Sequence, residues 1–352
     1  MKRIVLTGGG TAGHCLPNLA LVPTLKERGY EISYIGSYEG IERQLVEKYG
    51  LMYTGISSGK FRRYFDLKNF TDPFRVLRGY GEARKALKAM SPDVVFSKGG
   101  YVAVPVVRAA ASLKIPIIIH ESDMTPGLAN RLSFRCADRI CCSFPETLSF
   151  LPEKKRVLTG TPVRADLLNG SRERALSFVH MREGGYPYLM VIGGSLGAQR
   201  VNEAIRSALP ELLKKYNVIH LCGRGKLDPT LNRRDGYMQY DYINEELADL
   251  YSLADVVVSR AGANAVFELL TLKKPNVLIP LATGRGDQKL NAESFAKAGY
   301  SVLLTEDKLN NASLTAAIDE VYENREHYRG VMSRAESLSA VQKICDLIDK
   351  VS

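Results

Sequence analysis

The chain has 352 residues, enough for two domains with cores of their own, and its 45% apolar and 24% charged residues exclude a disordered or bilayer-embedded class. No stretch reaches the ~18 uninterrupted apolar residues of a spanning helix, and three apolar residues before the first glycines are too few for a signal peptide, so the chain is expected to stay in the cytoplasm. The net charge of +10 lies in the first half: residues 1–162 carry 24 Lys/Arg against 14 Asp/Glu, residues 163–352 carry 24 against 24.

In chain order, Ile4-Val5-Leu6 reads as a strand, Gly8-x-Gly10-x-x-Gly13 as a glycine turn, and the next segment as a helix closed by Lys26-Glu27-Arg28-Gly29, with Pro23 expected to kink it. A strand from Glu31 to Ile35 follows. Lys60 to Lys88 holds nine basic and three acidic residues interleaved with Phe61, Tyr64, Phe65, Phe70, Phe74 and Tyr80. Such a run fits a polyanionic partner, nucleic acid or an anionic membrane surface, or else a solvated basic face over core aromatics. The stretch from Val102 to Ile119, broken by Arg108, Lys114 and two prolines, reads as core. Six cysteines form no CxxC pair and no zinc spacing, so they read as buried thiols.

The chain then repeats itself. SPDVVFSKGGYVAVPVV from Ser91 is echoed by LADVVVSRAGANAVFELL from Leu253, and each is followed by a proline-opened strand, Lys114 to Ile119 and Lys274 to Ile279. The opening phrase recurs as Leu189 to Ile192 running into Gly193-Gly194-Ser195-Leu196-Gly197-Ala198 and a helix from about Gln199. Strands alternating with helices give parallel sheets covered on both faces. The fold class expected is therefore α/β, two Rossmann-like, doubly wound parallel-sheet domains facing across a cleft. Residues 1–162 form the first domain, 163–334 the second, and 335–352 a helix packing back on the first. Ligands of such sheets bind beyond the carboxyl ends of the strands.

The first glycine turn lacks the acid that a dinucleotide site places after the second strand, since the nearest is Glu39. It can still bring backbone N–H groups and a helix dipole to an anion. His14 then stands beside the ligand, or caps its own helix. Gly193-x-Ser195-x-Gly197 has two readings, the nucleophile elbow of a hydrolase completed by downstream acids and His327, or amides and the Ser195 hydroxyl offered to a diphosphate. There is no GxxxxGK[ST], no HExxH and no Asp-x-Asp pair, so leaving-group charge falls to amides and arginines.

Seven motifs together carry a resemblance: Gly9 to His14, Gly99-Gly100-Tyr101, His120-Glu121, Gly160 to Arg164, Gly193 to Ala198, Ser259 to Ala263, and Asp287-Gln288 with Asn291-Ala292. Over essentially its whole length the chain resembles the MurG family of peptidoglycan synthesis. These are the UDP-N-acetylglucosamine:undecaprenyl-pyrophosphoryl-MurNAc-pentapeptide N-acetylglucosaminyltransferases. The resemblance implies a GT-B fold and an inverting transfer of GlcNAc from UDP-GlcNAc to the C4 hydroxyl of MurNAc in lipid I. No cofactor and no nucleic acid partner are expected, and the missing Asp-x-Asp pair leads to the expectation of no metal. The acceptor's lipid tail together with the charge count and the aromatic-basic run leads to a peripheral place on the cytoplasmic face of the membrane, held by an anionic surface. The resemblance makes His14 the general base. Ser195 and Arg164 go to the donor phosphates, the Ile243 backbone to uracil, Ala263, Asn264, Ala265, Val266, Phe267 and Glu268 to the nucleoside, and Gln288 to the sugar. Thr11, Ala12 and Gly13 complete the donor pocket, and Asp123 and Asn130 join the substrate-binding set. Two departures stand out: Ala12 for a usual glycine, and Ser122-Asp123 where many relatives have Gln-Asn. A UDP-sugar epimerase of similar fold and a non-catalytic binder of anionic surfaces are the competing classes.

Overall fold

The computed structural model describes residues 2–59, 68–181, 185–194, 197–232, 234–283, 286–335 and 339–352, residues 68–73 by backbone alone. The chain divides into two compact units, Met1–Arg164 with Ser339–Ser352, and Ala165–Leu338.

Unit 1 is built on seven parallel strands: β1 (Lys2–Thr7), β2 (Tyr30–Ser37), β3 (Met52–Ile56), β4 (Val94–Ser97), β5 (Ile117–Glu121), β6 (Arg139–Cys142) and β7 (Arg156–Leu158). They lie in the order β3-β2-β1-β4-β5-β6-β7. Helices α1 (Ala12–Glu27), α2 (Ile41–Lys48), α3 (Lys68–Met90), α4 (Ala103–Ser112) and α5 (Leu128–Ser133) connect them. Successive strand residues face opposite ways. Ile4 and Leu6 therefore pack with Leu19 and Leu25 of α1, while Val5 packs with Val106 of α4 on the other face. Burial on both sides is why these strands read as unbroken apolar runs. Helix α1 runs on through Pro17 and Pro23, and Gly29, at φ +78°, follows its C-cap.

Unit 2 repeats the plan with six parallel strands: β8 (Tyr188–Ile192), β9 (Asn217–Leu221), β10 (Tyr237–Tyr240), β11 (Val256–Ser259), β12 (Asn276–Leu278) and β13 (Val302–Leu303). Their order is β10-β9-β8-β11-β12-β13. The helices are α6 (Arg172–Val179), α7 (Gln199–Leu212), α8 (Leu247–Leu253), α9 (Ala263–Thr271), α10 (Asp287–Lys297), α11 (Asn311–Glu323) and α12 (Arg325–Met332). Val201, Ile205 and Leu209 of α7 and Leu314 and Ile318 of α11 cover Leu189, Val191 and Val258 of the sheet. The last helix, α13 (Ala340–Val351), belongs to unit 1. Its Ile344 and Ile348 enter that core, and Arg28 holds Asp346 at 2.7 Å and Asp349 at 2.5 Å.

In each sheet the strand order reverses beside the first strand, between β1 and β4 and between β8 and β11. Those reversals are where doubly wound sheets bind ligands. Two separate sheets also overturn the hydrolase reading, which needs one.

Candidate active site

In unit 1 the chain leaves β1 through Gly8–Gly10 and enters α1, whose first residues are the cap Thr11, then Ala12, Gly13 and His14. Gly10 has φ +87°, and a Cβ there would collide with the Tyr101 ring. Its N–H donates to Glu42 Oε2 at 3.2 Å. Glu42, buried in α2, also accepts from Ser37 N at 3.0 Å and Ser37 Oγ at 2.6 Å. This buried carboxylate braces the turn, whereas Glu39 is exposed. Ala12 has ordinary helical backbone, so its methyl brings no strain.

His14 Nδ1 lies 3.2 Å from the Lys98 carbonyl oxygen. A carbonyl only accepts, so Nδ1 carries the hydrogen and Nε2 is the nitrogen able to take a proton. The bond runs to the residue that follows β4 rather than to α1.

At the end of β5, Glu121 gathers the next turn. Its Oε1 accepts from Asp123 N at 2.9 Å, and its Oε2 from Gly127 N at 3.0 Å and Asn130 Nδ2 at 2.9 Å. Asn130 Nδ2 also donates to His120 O at 3.2 Å. Both hydrogens of the buried Asn130 amide are thus bonded within the protein, where they tie α5 to the end of β5. Asp123 stays partly exposed.

In unit 2 a cavity of about 350 Å³ is lined by Gly193, Gly194, Gly197, Arg260, Leu281 and Gln288, with Ala198 and Gln199 at the start of α7. Gly197 has φ +68°, and a Cβ on it would meet the Cys222 carbonyl. Ser195 lies outside the described residues. Gln288 Oε1 accepts from Leu281 N at 3.0 Å, so its NH₂ is what it offers a ligand. Asn291 Nδ2 donates to Ala261 O at 3.0 Å and holds the turn before α9.

On α9, Ala263, Asn264, Ala265 and Glu268 are partly exposed while Val266 and Phe267 are buried. Phe267 meets Phe295 edge-on at 5.4 Å. Helical periodicity thus turns two of the six expected nucleoside-lining side chains into the core. Ile243 is buried in the loop after β10, and Arg164, partly buried, is the last residue before unit 2.

The glycine-turn helices share one electrostatic feature. Among the described residues, the N-cap residues of α1, α7 and α9 make no side-chain cap and no acid stands in the first turn. By contrast Ser171 caps α6 and Asn310 caps α11. First-turn N–H groups and the helix dipole make such ends favourable places for an anion.

Two doubly wound parallel-sheet units, each with a glycine turn opening a helix at its switch point, fit a glycosyltransferase that uses a nucleotide-activated sugar. Residues 4–142 match the glycosyltransferase family 28 N-terminal domain, and residues 188–348 its C-terminal domain. The chain is 59% identical over 353 residues to the UDP-N-acetylglucosamine--N-acetylmuramyl-(pentapeptide) pyrophosphoryl-undecaprenol N-acetylglucosamine transferase of Lachnoclostridium phytofermentans, covering 100% of this chain and 99% of that protein. It is 56% identical over 350 residues to the enzyme of the same name from Lachnospira eligens, covering 99% of each. The crystal structure of Acinetobacter baumannii MurG superposes with a TM-score of 0.76 at 28% identity, covering 99% of this chain and 100% of that one. The chain belongs to glycosyltransferase family 28, within its MurG family of N-acetylglucosaminyltransferases.

Proposed function

We propose that the chain transfers GlcNAc from UDP-GlcNAc to the C4 hydroxyl of MurNAc in undecaprenyl-pyrophosphoryl-MurNAc-pentapeptide, with inversion at C1. The observation that carries the reading is the orientation of His14, whose Nδ1 hydrogen is committed to Lys98 O while Nε2 can receive the hydroxyl proton. The named activity of the 59% identical relative supports the substrate pair.

In this reading the C4 oxygen attacks C1 opposite UDP. The C1–O bond breaks with its electron pair passing to the β-phosphate, and the proton goes to His14 Nε2. One displacement inverts the centre without a covalent intermediate. Charge growing on UDP is met by the α7 N-terminus, Ser195 and Arg164. Glu268 accepts from both ribose hydroxyls, the Ile243 backbone meets uracil, and the Gln288 NH₂ reads sugar hydroxyls. Thr11, Ala12 and Gly13 also serve the donor, and Asp123 the sugar side.

The acceptor's polyprenyl tail stays in the bilayer, which supports a peripheral place for the enzyme at the cytoplasmic face of the membrane. No helix among the described residues is long and apolar enough to cross a membrane. Unit 1 offers a dock instead: on α3, Phe74 is 76% and Leu77 69% exposed beside exposed Arg75 and Arg78. Phe61, Arg62, Arg63, Tyr64 and Phe65 of the same run lie outside the described residues.

The test is UDP release from UDP-GlcNAc with and without the lipid-linked MurNAc-pentapeptide. Release that needs the acceptor and yields a β-linked disaccharide supports the reading. Conversion of UDP-GlcNAc without acceptor refutes it.

A further inference from the structure

Lys98 follows β4, at the point where the order of the first sheet reverses, and is 1% exposed. Its backbone N–H donates to Thr7 O at 2.9 Å, and its carbonyl accepts from His14. Its ammonium crosses to the next strand, with Nζ 2.6 Å from His120 Nδ1 and 2.6 Å from Ser122 Oγ. His120 Nε2 lies 2.8 Å from Gly160 O. Because that carbonyl can only accept, Nε2 carries the imidazole hydrogen and Nδ1 accepts from Lys98. One residue thus ties together the ends of β1, β4 and β5 and the first turn of α1.

We propose that Lys98 is a positioning residue for the transfer reaction: its side chain fixes the turn carrying Ser122 and Asp123, and its carbonyl holds His14 in the tautomer that leaves Nε2 as base. The inference rests on the reading of His14 and the acceptor side given above. Both direct partners of Nζ are neutral, a costly setting for a buried ammonium. Burial pulls the Lys98 pKa down to about 7, against the opposing pull of Glu121 and Asp123. The other titratable groups facing it are neutral: His120 is held well below its usual value by burial, and the Cys141 thiol is pushed up to about 12. A neutral amine keeps two N–H donors, so both bonds survive loss of the charge. Lysine can therefore hold the turn at neutral pH in a site where a permanent cation is disfavoured.

The experiment is steady-state kinetics, per folded molecule, of Lys98→Met, Ser122→Ala and the double variant, with UDP-GlcNAc and a short-chain soluble analogue of the lipid-linked acceptor. Lys98→Met keeps the carbonyl that holds His14 but frees the strand ends that fix it. It is expected to raise the acceptor KM at least fivefold through the loosened Ser122 turn and to lower kcat at least tenfold through the shifted carbonyl, with the UDP-GlcNAc KM within twofold of wild type. Ser122→Ala should raise the acceptor KM at least threefold, and the double variant should match Lys98→Met, because both changes remove one connection. Acceptor KM and kcat of Lys98→Met within twofold of wild type, or effects that multiply in the double variant, overturn the proposal. If Lys98→Met does not fold, Ser122→Ala decides alone, an unchanged acceptor KM overturning it. A parallel His14→Ala arm separates the two readings: full activity there removes the base assignment itself. Lost activity in that arm beside an unaffected Lys98→Met removes only the role of Lys98.

Discussion

Lys98 and Arg260 hold the same place in the two units, each directly after the strand that pairs with its unit's first strand, and each reaches to the end of the neighbouring strand. Arg260, 8% exposed, donates through NH1 to Ile279 O at 3.0 Å, and its NH2 is 2.6 Å from the buried Glu306 carboxylate. Lys98 has only imidazole and hydroxyl partners. The difference follows from the two cations. Guanidinium does not shed its proton, so a buried arginine needs a counter-ion, whereas a buried lysine can become neutral. The duplicated phrase Ser-Lys and Ser-Arg therefore sets a buried amine with neutral partners in one unit against a fixed ion pair in the other.

The largest effect tests whether proton chemistry is confined to unit 1. His14→Ala should lower kcat by about 10²–10⁴-fold while the UDP-GlcNAc KM stays near wild type. Initial rates across donor concentrations check this, and a kcat within twofold of wild type removes His14 as the base.

The ion pair in unit 2 is broken by Glu306→Gln, which leaves Arg260 charged and buried. The expected loss of stability is about 3–5 kcal/mol, read from urea unfolding. A loss under about 1 kcal/mol would show that Ile279 O and solvent suffice for this guanidinium, and the contrast with Lys98 would fail.

Donor recognition belongs to the same unit. Glu268→Ala should cost about 1.5–3 kcal/mol of binding, raising the UDP-GlcNAc KM about tenfold to a hundredfold with the fold intact. An unchanged KM takes Glu268 out of the nucleoside site.

The charge excess separates the two halves of the chain as well, since residues 1–162 carry the whole net charge of +10 and residues 163–352 carry none. Changing both Arg75 and Arg78 to Gln should weaken binding to anionic vesicles by about 1 kcal/mol per charge at low salt, an effect that fades at high salt. Co-sedimentation equal for wild type and variant at both salt levels would move the dock elsewhere.

The last effect is a slope. Lys98 has a folded pKa lowered from 10.5 to about 7, so between those values the unfolded chain binds more protons than the folded one. Stability attributable to this residue should therefore rise with pH from about 7 to 10.5, with the full penalty present below about 7, at a gain of no more than about 1.4 kcal/mol per pH unit. Lys274, lowered to about 8 by burial, adds a slope of the same sign. Subtracting the Lys98→Met curve from wild type isolates Lys98, and parallel curves would mean that it titrates normally.

Much of the fold was readable because its signals are local. Apolar runs such as Val94-Val95-Phe96 and Val256-Val257-Val258 fit strands buried on both faces, and glycines at set spacing mark turns that open helices. The six-residue segment Ala263 to Glu268 was readable as a unit, but which residues face outward was not. That division depends on Phe295 of α10, which receives Phe267. Asn130 entered the substrate-binding set only through the family resemblance, while the two acceptors that hold its amide come from the end of β5.

The sequence by itself determined the α/β class, the duplicated plan and the family, since strand period, glycine spacing and short motifs are properties of neighbouring residues. Only the tertiary structure decided which polar groups brace the site. Gly10 meets Glu42 across 32 residues, Lys98 meets His120 across 22, and His14 meets Lys98 across 84. Glu42 and Lys98 look in the sequence like ordinary surface charges. They are buried because parallel strands bring distant chain segments to one sheet edge, where a backbone N–H, an imidazole and a hydroxyl must find partners away from water.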